Sequence, residues 1–158
     1  MNFLTEHGIS SYGELESKLN AVSARRDTAH AEIKRIESRS AELALVMKHA
    51  GTYRQLKPLY DRYRKSNDKE KFLRGHESEI ILFEAATREL KRLGAVPLPT
   101  TESMKTELAN LNAEKERLLA EYKAARTEAQ EYDTVKQNVD ALLAVPKEQE
   151  QQRRHELE

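Results

Sequence analysis

A chain of 158 residues is one domain, or one elongated element of a larger protein. Its 27 basic residues equal its 27 acidic ones, which excludes a global field that steers polyanions and leaves only a local patch for any nucleic-acid contact. With 38% hydrophobic and 34% charged residues the composition suits long solvated helices better than a thick core, and the absence of cysteine excludes disulfides and thiolate zinc sites and fits a reducing, cytoplasmic compartment.

The first seven residues, Met1 to His7, have neither a basic n-region nor a long apolar h-region, so no signal peptide is expected. The longest apolar runs, Ile80 to Phe83 and Ala141 to Val145, are far too short to span a bilayer, so no membrane insertion is expected. Ser11 and Glu14 form a capping box at a helix start. A heptad seam follows over an arm at 11–50: Tyr12, Leu15, Leu19, Val22, Arg26, Ala29, Ile33, Ile36, Ser40, Leu43, Met47 and Ala50, alternating by three and four without a slip. Gly51 is expected to close this helix, as glycine commonly does. Arg26 and Ser40 interrupt the seam. Such a polar residue either fixes register at some cost in stability or, for Arg26, snorkels past small neighbours.

A helical head is expected next, with helices at 53–65 and 68–93. Tyr53, Leu56, Tyr60 and Tyr63 share one face of the first, with Pro58 within its first two turns, where a missing N–H is tolerated. From Thr52 to Arg74 there are eight basic residues (Arg54, Lys57, Arg62, Arg64, Lys65, Lys69, Lys71 and Arg74) against Asp61, Asp68 and Glu70, a local charge of +5 in a neutral chain. Asn67 with Glu70 makes a second capping box. The helix it opens carries the seam Leu73, His76, Ile80, Phe83, Thr87 and Leu90, and Phe72, Ile81, Leu82 and Leu93 widen its apolar face. Gly94 and the Pro97/Pro99 pair stop it.

A second arm at 102–144 is capped by Thr101, with Glu102 in the first turn. Its seam is Met104, Leu108, Leu111, Lys115, Leu118, Tyr122, Ala125, Ala129, Tyr132, Lys136, Val139 and Leu143. Pro146 is expected to end it, leaving a polar tail at 147–158 that is frayed or disordered. The expected fold is all-α: a long antiparallel coiled-coil hairpin with a helical head inserted between its arms, a single domain over 1–158 and a fragment of a larger protein. An intramolecular pair buries both seams with little loop entropy, whereas a parallel dimer leaves each chain a second seam to bury. Charges beside the seams (Glu16, Arg25, Glu32 and Arg39; Lys105, Glu114, Glu121 and Arg126) are expected to set register.

No catalytic constellation is found. His76-Glu77 begins a zinc-helix motif, but the position that needs the second histidine is Ile80. His7, His30, His49 and His155 never pair at ligand spacing, so neither metal nor cofactor is expected. A tyrosine nucleophile at Tyr53, Tyr60 or Tyr63 lacks a metal or base beside it in sequence. These rings pack inward as core, or Tyr60 and Tyr63 stack on bases beside the arginines. The basic run is a phosphate-binding patch or a solvated face.

The stretch Tyr53-Arg54-Gln55-Leu56-Lys57-Pro58-Leu59-Tyr60-Asp61-Arg62-Tyr63-Arg64-Lys65-Ser66, with Lys69 to Ala86 after it, resembles a segment of relaxase/mobilisation proteins of conjugative elements in Firmicutes, downstream of their nuclease domain. The likeness covers Tyr53 to about Leu93, and Ile9 to Leu15 looks similar too. The family's nuclease uses a tyrosine and a metal held by histidines. This chain has no His-x-His, so the resemblance carries no catalytic residue onto it. What it implies is a non-catalytic accessory domain in plasmid or transposon mobilisation, with DNA or conjugative transfer proteins as partners. The expected DNA-binding residues are Arg54, Lys57, Tyr60, Arg62, Tyr63, Arg64, Lys65, Lys69, Lys71 and Arg74. The competing reading is a structural or oligomerising coiled coil with no nucleic-acid contact.

Overall fold

The computed structural model describes residues 2–157, with side chains through residue 144. Every regular element among them is helical: α1 (Phe3–Glu6), α2 (Tyr12–Lys65), α3 (Lys69–Arg92) and α4 (Thr101–Leu157). The chain divides into two compact units, residues 1–33 with 116–158, and residues 34–115.

In the first unit the early part of α2 and the later part of α4 run antiparallel. Tyr12 donates its hydroxyl hydrogen to Asp140 (2.6 Å), Glu16 meets Lys136 (3.8 Å) and Arg25 meets Glu128 (3.7 Å), so residue numbers rise on one helix as they fall on the other. The core between them is Leu15, Val22, Ala125, Ala129 and Tyr132, with Leu19, Val135 and Val139 packed beside it. These are seam positions, except Val135. Burying each large aliphatic side chain is worth roughly 1.5–3 kcal/mol.

Helix α1 was not among the expected elements; four residues are too few to display a period. It is set by its ends. Asn2 accepts from the Leu4 N–H (3.0 Å), and Gly8, at φ 64, closes the helix with Gly8 N–H to Thr5 C=O (3.2 Å) and Ile9 N–H to Leu4 C=O (2.8 Å). This is a Schellman motif, and its apolar pair Leu4 and Ile9 packs on the core. Phe3 lies edge-on to Tyr132 (5.2 Å between ring centres), and His7 Nδ1 lies 3.1 Å from the Tyr132 hydroxyl. Lys18 donates to the His7 carbonyl. The expected box at α2 is present: Ser11 Oγ accepts from the Glu14 N–H (3.2 Å). Glu14 reaches back one residue further, to the N–H and hydroxyl of Ser10 (2.7 and 3.0 Å), and those donors hold its carboxyl below the usual range.

In the second unit, residues 34–65 of α2 pair with residues 101–115 of α4, again antiparallel. Arg39 grips Glu107 with two hydrogen bonds (2.7 and 3.1 Å), Arg35 meets Glu114 (3.8 Å) and Lys115 meets Glu37 (3.5 Å). Lys115 and Lys136, the two polar interruptions of the second seam, thus each reach a glutamate on α2. Ile36, Leu43, Val46, Ala50, Met104 and Leu111 are buried. Val46 takes the place expected of Met47, which is only half-buried. Helix α3 contributes Ile80, Phe83, Ala86 and Leu90 from one face.

Three expected boundaries are corrected. Gly51 does not end a helix, because α2 runs unbroken to Lys65 through both Gly51 and Pro58. A helical glycine costs only about 1 kcal/mol and proline about 3 kcal/mol. Tyr53 and Tyr60, on either side of Pro58, both stack on Phe83 of α3 (5.0 and 4.3 Å), so packing holds the helix where local preference would stop it. The expected separate helix at 53–65 is the last part of α2. Nor does Pro146 end α4, whose helical backbone continues to Leu157; residues 147–157 are almost all Lys, Glu, Gln, Arg and Leu, strong helix formers. The side chain of His155 and all of Glu158 lie outside the described residues. Two caps also shift by one residue. Asp68 rather than Asn67 accepts from Lys71 N–H (3.1 Å), and Thr100 rather than Thr101 accepts from Ser103 N–H (3.0 Å).

Gly94 stops α3 as expected. Its φ of 70 and the bonds Gly94 N–H to Lys91 C=O (3.1 Å) and Ala95 N–H to Leu90 C=O (2.9 Å) make a second Schellman motif, sealed by buried Leu90 and Ala95.

Candidate nucleic-acid interface

The turn at 66–68 between α2 and α3 gathers the basic run in space. The last turn of α2 supplies Arg62, Arg64 and Lys65, and the first two turns of α3 supply Lys69, Lys71 and Arg74. All six are exposed. Ser66 orders the turn, donating from its hydroxyl to the Asp68 carbonyl (3.2 Å) and accepting from the Asp68 N–H (3.3 Å).

The ten expected residues fall into four groups. Arg54 and Lys57 are engaged inside the unit. Arg54 donates to Thr101 Oγ1 (2.8 Å) and to the Pro99 carbonyl (2.6 Å), tying α2 to the segment before α4. Lys57 pairs with Asp61 (3.0 Å), which raises its pKa above the ordinary lysine value. Tyr60 and Tyr63 belong to a half-buried aromatic cluster. Tyr60 stacks on Phe83, Tyr63 meets Tyr60 (5.8 Å) and Phe72 (6.0 Å), and Phe72 meets His76 (4.6 Å). Each such pair adds about 0.5–1.5 kcal/mol beyond its burial. Arg62 is intermediate: its guanidinium lies 5.7 Å from the centre of the Phe72 ring, over its face.

The remaining five, Arg64, Lys65, Lys69, Lys71 and Arg74, make no ion pair among the described residues. Of the nearby acids, Asp61 is neutralised by Lys57 and Asp68 is spent on the helix cap. Glu70, four residues before Arg74, makes no pair with it. The turn therefore presents a dense, solvated cationic surface.

His76 leaves helical geometry (φ −138, ψ 25), interrupting α3, and its Nδ1 lies 3.2 Å from Glu79. It packs on Phe72 as a head residue. The interruption had no signal in the heptad pattern, which treats His76 as one more seam position; Gly75 before it was the available cue. A cleft of about 200 Å³ is lined by Tyr53 of α2, by Thr87, Leu90 and Lys91 of α3, and by Ala95, Val96 and Leu98 of the segment that follows. The Thr87 hydroxyl already donates to the Phe83 carbonyl (2.9 Å), and most of the remaining lining is apolar. No helix among the described residues is long and apolar enough to cross a membrane.

No protein-family model, curated protein or solved structure matches this chain.

Proposed function

We propose that this chain is a non-catalytic accessory module of a conjugative relaxase, in which antiparallel coiled-coil arms carry a helical head that contacts DNA through the cationic turn between α2 and α3. The observation that carries the reading is the five exposed, unpaired cations Arg64, Lys65, Lys69, Lys71 and Arg74, concentrated within eleven residues of a chain with no net charge. Solvated lysines and arginines serve folding little, whereas each can displace a counterion from a phosphate. The resemblance of Tyr53 to Leu93 to relaxase segments supplies the setting.

The test is fluorescence-anisotropy titration of labelled DNA with the whole chain over a range of salt. Binding that weakens steeply with salt, and that Arg64→Glu/Lys65→Glu abolishes, supports the reading. If neither single- nor double-stranded DNA binds at moderate salt, the turn is a solvated surface. The adjacent Ile81 and Leu82 on α3, 52% and 56% exposed, then become the surface to probe for a protein partner.

A further inference from the structure

We infer that the cationic turn grips the phosphate backbone of double-helical DNA without stacking on bases, and that Lys69 and Lys71 are held there against the preference of their own helix. The inference rests on the DNA-contacting reading above and adds to it the form of the nucleic acid and the residues that carry affinity.

The form follows from the rings. Proteins that hold single strands combine a basic groove with aromatic faces open to successive bases. In this head the faces are used internally. Tyr53 and Tyr60 lie nearly parallel to Phe83 (23° and 24°). Tyr63 leans on Tyr60 and Phe72, and Phe72 is flanked by His76 and Arg62. The side chains left fully exposed at the turn are polar or charged, and none is aromatic. A surface that offers charge but no open ring gains most from the denser array of phosphates, which is the duplex, at one charge per ~1.7 Å of axis.

The residues follow from the helix ends. Cations in the last turn of a helix are favoured by its unpaired carbonyls, and cations in the first turn are disfavoured by its unpaired N–H groups. Arg62, Arg64 and Lys65 occupy the last turn of α2, a position at which the helix tolerates cations, and Arg62 also lies over Phe72. Lys69 and Lys71 occupy the first turn of α3, where Asp68 and Glu70 are the residues a helix start prefers. Lys71 also stands three residues before Arg74, a like-charge pair on one helix face. Neither lysine makes an ion pair among the described residues, and a phosphate placed against the turn supplies one.

The experiment titrates a labelled duplex and a single strand of equal length with the whole chain and with Lys69→Gln/Lys71→Gln, and records the thermal midpoint of each protein. Five phosphate contacts predict a log–log salt slope near about −4.5 on duplex, a loss of about 500-fold between about 50 and 200 mM salt. The double variant should lower the slope to about −2.7, a loss of about 40-fold over the same range. Its midpoint should rise by about 1–4 °C. Tighter binding to the single strand, an unchanged slope in the variant, or a midpoint that does not rise each overturns the inference while leaving DNA contact standing. Failure of the parent chain to bind either form overturns both.

Discussion

Replacing Gly51 with alanine separates two descriptions of this chain by the sign of a stability change. If Gly51 closed a helix in the left-handed region, alanine would meet the Cβ–carbonyl clash of that conformation and lose about 1–2 kcal/mol. In the structure Gly51 lies inside α2, its φ is not positive, and a Cβ built on it meets no heavy atom within 4 Å. There alanine removes the backbone freedom that glycine has in the unfolded chain and adds no strain, a gain of about 0.5–1 kcal/mol. For a chain of this size that is a rise of about 1–4 °C in midpoint. Gly94→Ala is the internal standard. Its site is equally open, but φ is 70, so strain alone acts and stability should fall by about 1–2 kcal/mol. Thermal melts followed by circular dichroism, with urea curves to check that the slope is unchanged, measure both. A loss at Gly51 comparable to that at Gly94 would refute the continuous α2.

Two further outcomes concern the paired charges. A double-mutant cycle on Arg39 and Glu107, each side chain 40% exposed, should give only about 0.5 kcal/mol at neutral pH. The bonds from Arg39 lower the Glu107 pKa, so this coupling is present above the ordinary carboxyl value and disappears as pH falls through the folded one; a coupling unchanged in acid would contradict it. The Tyr12 hydroxyl, donating to Asp140, is held to a pKa of about 12. Neutral Tyr12 is the folded form's preference, so its contribution holds below the ordinary value of about 10 and is lost between there and about 12. Spectrophotometric titration should show Tyr12 titrating late, alongside Tyr132, which burial raises, and Asp140→Asn should bring Tyr12 back toward the ordinary value. Coincident titration curves for the two proteins would sink this assignment.

The seams were legible because burial along a helix repeats every three or four residues and the chain keeps that repeat. Leu15, Val22, Ala29, Ile33, Ile36 and Leu43 on α2, and Met104, Leu111, Leu118, Ala125, Ala129 and Tyr132 on α4, are all buried. Leu143 continues the pattern yet is 60% exposed, since a period says which face a residue occupies and not whether anything covers it. The candidate interface was half legible. Composition located the basic run, but charge in sequence does not distinguish Arg54, bonded to Pro99 and Thr101, from Arg64, which is free.

Local sequence by itself determined the all-helical class, the apolar faces, the Ser11 cap and the stop at Gly94, because each depends on residues within a turn or two of one another. Tertiary structure decided the rest. Helix α2 crosses Gly51 and Pro58 because Tyr53 and Tyr60 find Phe83 about thirty and twenty-three residues further along the chain. The same contacts draw the tyrosines inward and leave the lysines and arginines of the turn as its exposed chemistry. Stacking against a distant partner offsets a local penalty of a few kcal/mol, and no window of sequence contains both the penalty and its compensation.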